Sequence, residues 1–235
     1  KTDLFISMVN ESGPFKAAPL VEKLTPAAVS YAVDWMSALR EEVGGDFELM
    51  VDAHARFDVA SAIAAASELE SLKLTWFEEP VPQESYDALK EFRENTNVAI
   101  SVGEPIFTRY DFIPILQDRL ADFIMPDIAW TGGVSELRRI ASLAEAYYVP
   151  FTPHDALGPV AIASTFQVCM ATPNLYRQEC IHSSFESFSK IVAGMPTYKD
   201  GSLWPTEKPG LGIDLINEEV EGYAVPASNG WVSGS

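Results

Sequence analysis

Six ionisable side chains stand at nearly equal intervals along the chain: Asp52, Glu78, Glu104, Asp127, His154 and Glu179, separated by 26, 26, 23, 27 and 25 residues. Each closes a short apolar run. Three consecutive acids at equivalent positions would repel one another unless a cation lay among them. Asp52, Glu78 and Glu104 therefore read as oxygen ligands of a hard divalent ion. Mg²⁺ comes first, because it accepts few carboxylates and keeps water or substrate oxygens. Asp127 ends the run before that of His154, close enough to orient the imidazole and favour its charged form. His54 follows Asp52 by two residues, so strand alternation turns both to one face. Two imidazoles reaching one pocket from separate strands could act as base and acid on opposite sides of a substrate. The same alternation turns Glu79 away from Glu78, as a structural partner. His182 falls in the irregular stretch after the last run and takes no role. A single acid after a strand more often caps a helix or makes a loop ion pair. Capping, however, has no need of His and Glu at the same place in every unit.

The apolar runs span 48–53, 74–78, 99–103, 122–126, 149–153 and 175–178, with helix-type segments between them. One interval fits one strand-loop-helix-loop unit, and the alternation predicts an α/β fold with a parallel sheet. In a (β/α) TIM-type barrel the ends of the strands converge on a single pocket, which would gather the six residues. Thr25-Pro26 places a capping hydroxyl before a proline at the first helical position. Asp58 precedes an Ala-rich helix over 59–72. A further helix over 134–147 carries Leu137, Ile140, Ala141 and Ala144 on one face. Trp76, Phe77, Phe123 and Phe151 have strand spacing and are expected to fill the barrel. Residues 6–24 form a long irregular segment, read as a loop over the active site. From Pro205 onward the chain is turn-rich, with Pro209-Gly210-Leu211-Gly212. The expected division is a catalytic barrel over 1–205, opening within a strand, and a tail over 206–235. The opening Lys1-Thr2-Asp3-Leu4-Phe5 reads as mid-strand, which suggests a fragment.

Composition narrows the function. The chain has 235 residues, 47% of them hydrophobic, and a formal charge of −18. That field repels phosphate backbones and anionic lipid surfaces, so neither nucleic acid nor membrane is an expected partner. No apolar run approaches the roughly 18 residues of a membrane span. Cys169 and Cys180 are too few to staple a chain of this length and read as reduced thiols of a cytoplasmic protein. Gly132-Gly133 lacks the Lys-Ser/Thr of a phosphate loop. Ser101, Ser164 and Ser183 lack a nucleophile elbow.

Taken in order, the motifs Val51-Asp52-Ala53-His54-Ala55-Arg56-Phe57, Trp76-Phe77-Glu78-Glu79-Pro80, Gly103-Glu104, Pro126-Asp127, Pro153-His154 with Leu157-Gly158-Pro159, Gln178-Glu179 and Pro209-Gly210-Leu211-Gly212 are similar to those of the enolase superfamily. The chain resembles its mandelate racemase subgroup, and within it the acid-sugar dehydratases of galactonate and gluconate type, from Lys1 to about Tyr223. The resemblance implies a modified barrel in which Asp52, Glu78 and Glu104 hold Mg²⁺. It also implies that His154 paired to Asp127 is the base, that Glu179 contacts the enolate-like intermediate, and that His54 is the acid. Two features depart from the pattern. Lys1-Thr2-Asp3 stands where racemases carry Lys-x-Lys, which favours dehydration over two-base racemisation. The family's N-terminal capping domain and first barrel strand are missing from the 235 residues. The expected reaction is dehydration of a sugar acid to a 2-keto-3-deoxy acid, by a homo-oligomer. Cycloisomerisation or epimerisation on the same metal and base is the nearest alternative. A barrel metallohydrolase would favour several His ligands on one ion, and only three His exist. A catalytically inert binding protein is the remaining reading.

Overall fold

The computed structural model describes residues 26–223. The segment 6–24, the opening Lys1-Thr2-Asp3, the cap Thr25 and the end of the tail lie outside the described residues. Helix α1 runs from Pro26 to Val43, with proline at its first position. Strands β1 (Met50–Asp52), β2 (Trp76–Glu78), β3 (Ile100–Val102) and β4 (Phe123–Ile124) then form one sheet in chain order. All three pairings are parallel. The fifth and sixth apolar runs continue the array as single bridges, Ile124 to Phe151 and Phe151 to Leu175, both parallel. All six sequence runs thus lie side by side in the order the periodicity predicts.

Between the strands lie α2 (Val59–Leu69, continued by a 3₁₀ turn at Glu70–Leu72), α3 (Tyr86–Glu94), α4 (Arg109–Gln117) and α5 (Val134–Ala146). Asp58 caps α2 by accepting from the Ser61 N–H at 2.9 Å. Ser85 caps α3 in the same way. Thr108 and Asp111 bond reciprocally at the start of α4, satisfying two helix-end donors at once. The four apolar residues expected on the inner face of α5 are all buried. Helix α6 (Pro159–Met170) again opens on proline.

Alternation along the strands splits the core into two layers. Val51, Phe77, Ile100, Val102, Ile124 and Phe151 pack outward against the helices. Met50, Trp76 and Met125, with Ala99 and Phe123 beside them, form a separate cluster on the other face, inside the curl of the sheet. The expectation that Phe77 and Phe151 fill the barrel is therefore corrected, since both belong to the sheet-helix layer. Only Trp76 and Phe123 face inward, because they lie one residue out of phase with the outward set. The inward aromatics meet Tyr176, whose ring is 6.2 Å from Trp76 and 5.2 Å from Phe123. At this N-terminal floor, Tyr176 and Arg177 both bond the Glu48 carboxylate just ahead of β1.

Beyond the sheet, α7 (His182–Ile191) begins at His182, so that residue opens a helix rather than an irregular stretch. Strand β5 (Val192–Ala193) pairs with β8 (Asp214–Leu215), and β6 (Thr197–Lys199) with β7 (Ser202–Trp204). Helix α8 (Asn217–Tyr223) follows. Within the segment expected as a tail after 205, β8 is thereby tied back across that boundary to β5. Among the described residues no helix is long and apolar enough to cross a membrane.

Candidate active site

The six spaced residues gather at the C-terminal ends of the parallel array. β1 and β2 are in register with Asp52 opposite Glu78, and the Ala53 N–H donates to the Glu78 carbonyl at 2.9 Å. Glu78 is 2% exposed and points inward, its Oε2 accepting from the indole N–H of Trp76 at 2.9 Å. Glu104 follows Gly103, which has φ +145°. A Cβ there would lie 2.9 Å from the backbone of Met125, so the close approach of β3 to the chain after β4 requires glycine.

His154 sits at the centre of the cluster and is 8% exposed. Its Nδ1 lies 2.8 Å from Oδ2 of the fully buried Asp127. Asp127 is itself fixed, its Oδ1 accepting from the N–H groups of Ala129 and Trp130. The other ring nitrogen, Nε2, faces Glu179 Oε2 at 3.6 Å and Glu104 Oε1 at 3.7 Å. Glu179 Oε2 in turn accepts from the Asp155 N–H at 3.1 Å. Burial opposes a charge on His154, but the Asp127 hydrogen bond and the charges of Glu179 and Glu104 outweigh it, raising its pKa to about 9.

Four of the acids around it are also raised above their usual range. Burial pushes Glu78 well above the ordinary carboxylate value, and the charges of Asp52 and Glu179 add to it. Asp52 is raised by burial and by Glu104, against a hydrogen bond from the His54 N–H. Glu179 is raised chiefly by burial. Glu79 reaches about 8, from burial and the charges of Glu104 and Asp52.

Two sequence expectations about side-chain direction need correction. Glu79 does not turn away from the pocket: it is buried, and a carboxylate oxygen lies within 4.8 Å of ligand atoms of both His54 and Glu104. β2 ends at Glu78, and Glu79 adopts a left-handed φ of +42°, so period-two alternation no longer applies. His54 does reach the pocket, but by a left-handed turn at φ +50° beyond the end of β1 rather than by alternation. Among the described residues, His54, Glu79 and Glu104 are the group of three whose ligand atoms lie mutually this close. Asp52 and Glu78 join the same electrostatic cluster without belonging to that tight trio. The signal for Glu79 in the sequence was the proline that follows it, which ends pairing and frees the chain to turn.

The donor set fits a hard divalent cation. Asp52, Glu78, Glu79, Glu104 and Glu179 crowd one partly dry pocket, and the raised pKa values of Asp52, Glu78, Glu79 and Glu179 express charge repulsion and desolvation that a bound cation would relieve.

The profile of the enolase C-terminal domain-like family matches residues 13–220. A D-galactonate dehydratase family member from Streptomyces bingchenggensis is 34% identical over 203 residues, covering 85% of this chain and 49% of the relative. A D-xylonate dehydratase from Haloferax volcanii is 32% identical over 197 residues, covering 84% and 48%. The crystal structure of a mandelate racemase/muconate lactonizing enzyme-like protein from Rubrobacter xylanophilus superposes with a TM-score of 0.80 at 37% identity, covering 86% of this chain and 52% of that one. The chain spans about half the length of the curated relatives it matches.

Proposed function

The chain belongs to the enolase C-terminal domain-like family, and from that membership we propose that it is the barrel part of a divalent-cation-dependent, cytoplasmic and homo-oligomeric sugar-acid dehydratase. The observation that carries the reading is His154, held at Nδ1 by buried Asp127 with its Nε2 open toward Glu104 and Glu179. An imidazole so fixed presents one nitrogen to a substrate, and the dyad decides which. Asp52, Glu78 and Glu104 would hold Mg²⁺, with Glu79 and His54 beside them. When bound, the cation would stabilise the negative charge that grows on a substrate carboxylate as its α-proton leaves. Enolase-superfamily sites pair a Lys or His base with Mg²⁺.

In its neutral form, which a cation bound among the neighbouring acids would favour by offsetting their charge, His154 Nε2 takes the proton α to the carboxylate. Glu179, locked by the Asp155 N–H, faces the same space and positions the reacting carbon region. His54, across the cluster, delivers a proton to the departing β-hydroxyl. The product is an enol that becomes a 2-keto-3-deoxy acid. Burial of the carboxylates keeps water scarce, which strengthens each of these interactions.

The test is a screen of aldonic and aldaric acids with NMR of the products, in deuterated solvent. Dehydration leaves a ketone beside a CHD group, the deuterium entering from solvent as the enol becomes the ketone, and beside a CH₂ group in ordinary water. A product of unchanged composition would instead identify a cycloisomerase or epimerase. His154→Asn should abolish both turnover and exchange of the α-proton, and exchange at the normal rate would remove His154 as base. His54→Asn should block elimination while sparing exchange.

A further inference from the structure

We infer that Trp76 is a positioning residue for the cation site, its indole N–H holding one oxygen of Glu78 so that the other is presented to the metal. The inference rests on the cation reading above, and it begins from the strand. Trp76 and Glu78 are two residues apart in β2 and share its inward face. The indole nitrogen lies 2.9 Å from Glu78 Oε2, and both residues are essentially excluded from solvent.

The chemistry of the donor matters. An indole N–H donates one hydrogen bond, accepts none and carries no charge. It therefore fixes the carboxylate without neutralising it, whereas an Arg or Lys at this place would compete with the cation for the negative charge. The ring has little freedom of its own. Phe123 packs against it at 5.1 Å and Tyr176 at 6.2 Å. Tyr176 is anchored below by Glu48 and lies under the Arg177 guanidinium, 4.5 Å from its ring centre. A ladder of contacts thus runs from the polar floor, through three aromatic rings, to the carboxylate that would face the ion. Groups that orient metal ligands in this manner typically change affinity by 10–100-fold when removed.

Trp76→Phe keeps an aromatic ring in the stack and removes the donor, leaving a small cavity where the rest of the indole lay. In the full chain, calorimetric titration with Mg²⁺ should show affinity weakened by at least about tenfold, with Trp130→Phe as the control tryptophan replacement. An unchanged Kd in a Trp76→Phe protein with native circular dichroism would overturn the inference. A second readout needs no metal. The emission difference between wild type and Trp76→Phe isolates Trp76, and it should shift when Glu78→Gln alters the acceptor. Emission from Trp76 that ignores this change would equally overturn it. If the wild type takes up no divalent cation at all, the functional reading fails, and the emission of metal-free Glu78→Gln alone decides whether Trp76 holds Glu78.

Discussion

Asp155 shows how far burial beside a like charge moves a carboxyl group. It is fully buried beside the site, bonded by the Gln178 amide at 3.2 Å, and burial, with the Asp127 charge, raises its pKa to about 7. The folded state then keeps this proton through a range in which the unfolded chain, with an ordinary value of 3.8, has lost it. Between those two values the native state binds more protons, so stability falls as pH rises, by up to about 1.4 kcal/mol per pH unit, and levels off above pH 7. Asp155→Asn should flatten that part of the slope. Thermal melts from pH 4 to 7 check it, and an unchanged slope would show that Asp155 does not titrate there. The six spaced residues were legible one by one because type and interval survive in a linear string. Glu79 was not legible as a pocket residue, since its direction depends on a left-handed φ one residue past the end of β2, and alternation rules stop where pairing stops.

At the level of strands and helices, the order of the parallel array, the start of α2 at Asp58 and the buried face of α5 followed from periodicity and caps. The sorting of aromatics did not. Phe77 and Trp76 are neighbours of similar hydrophobicity, and only the pleat of a three-residue strand decides which meets helices and which meets the interior. Phe77 lies between Phe57 and Phe92 at ring separations of 6.2 and 6.0 Å. Phe77→Ala should cost roughly 3–5 kcal/mol in urea unfolding, while Tyr148→Ala, at a side chain 90% exposed, should stay within about 0.5 kcal/mol. Equal losses would contradict the layer assignment. Gly103→Ala tests the seam between β3 and the chain after β4. Its Cβ would press on the Met125 backbone at a φ that disfavours L side chains, so the urea midpoint should fall and Mg²⁺ affinity with it, because Glu104 is the next residue. Full affinity in this variant would show that Glu104 is positioned independently of the seam.

Across the whole molecule, an excess of acidic groups converges on one mouth, in a chain of formal charge −18. A ligand that binds only the folded form stabilises it by mass action, so Mg²⁺ at 100 times its Kd should add about 2.7 kcal/mol. Denaturation with Mg²⁺ and with a chelator measures this directly, and coincident curves would mean that no such site exists. The ion pair on the floor has a different consequence. Glu48 and Arg177 lie 129 positions apart in the chain, and closing a loop of that length is slow compared with winding any one helix. The side chains proposed to do the chemistry come from residues 52 through 179. A nascent chain halfway out of the ribosome can therefore be rich in helix and hold no assembled site, and on refolding the cluster from 52 to 179 should be the last part to come together.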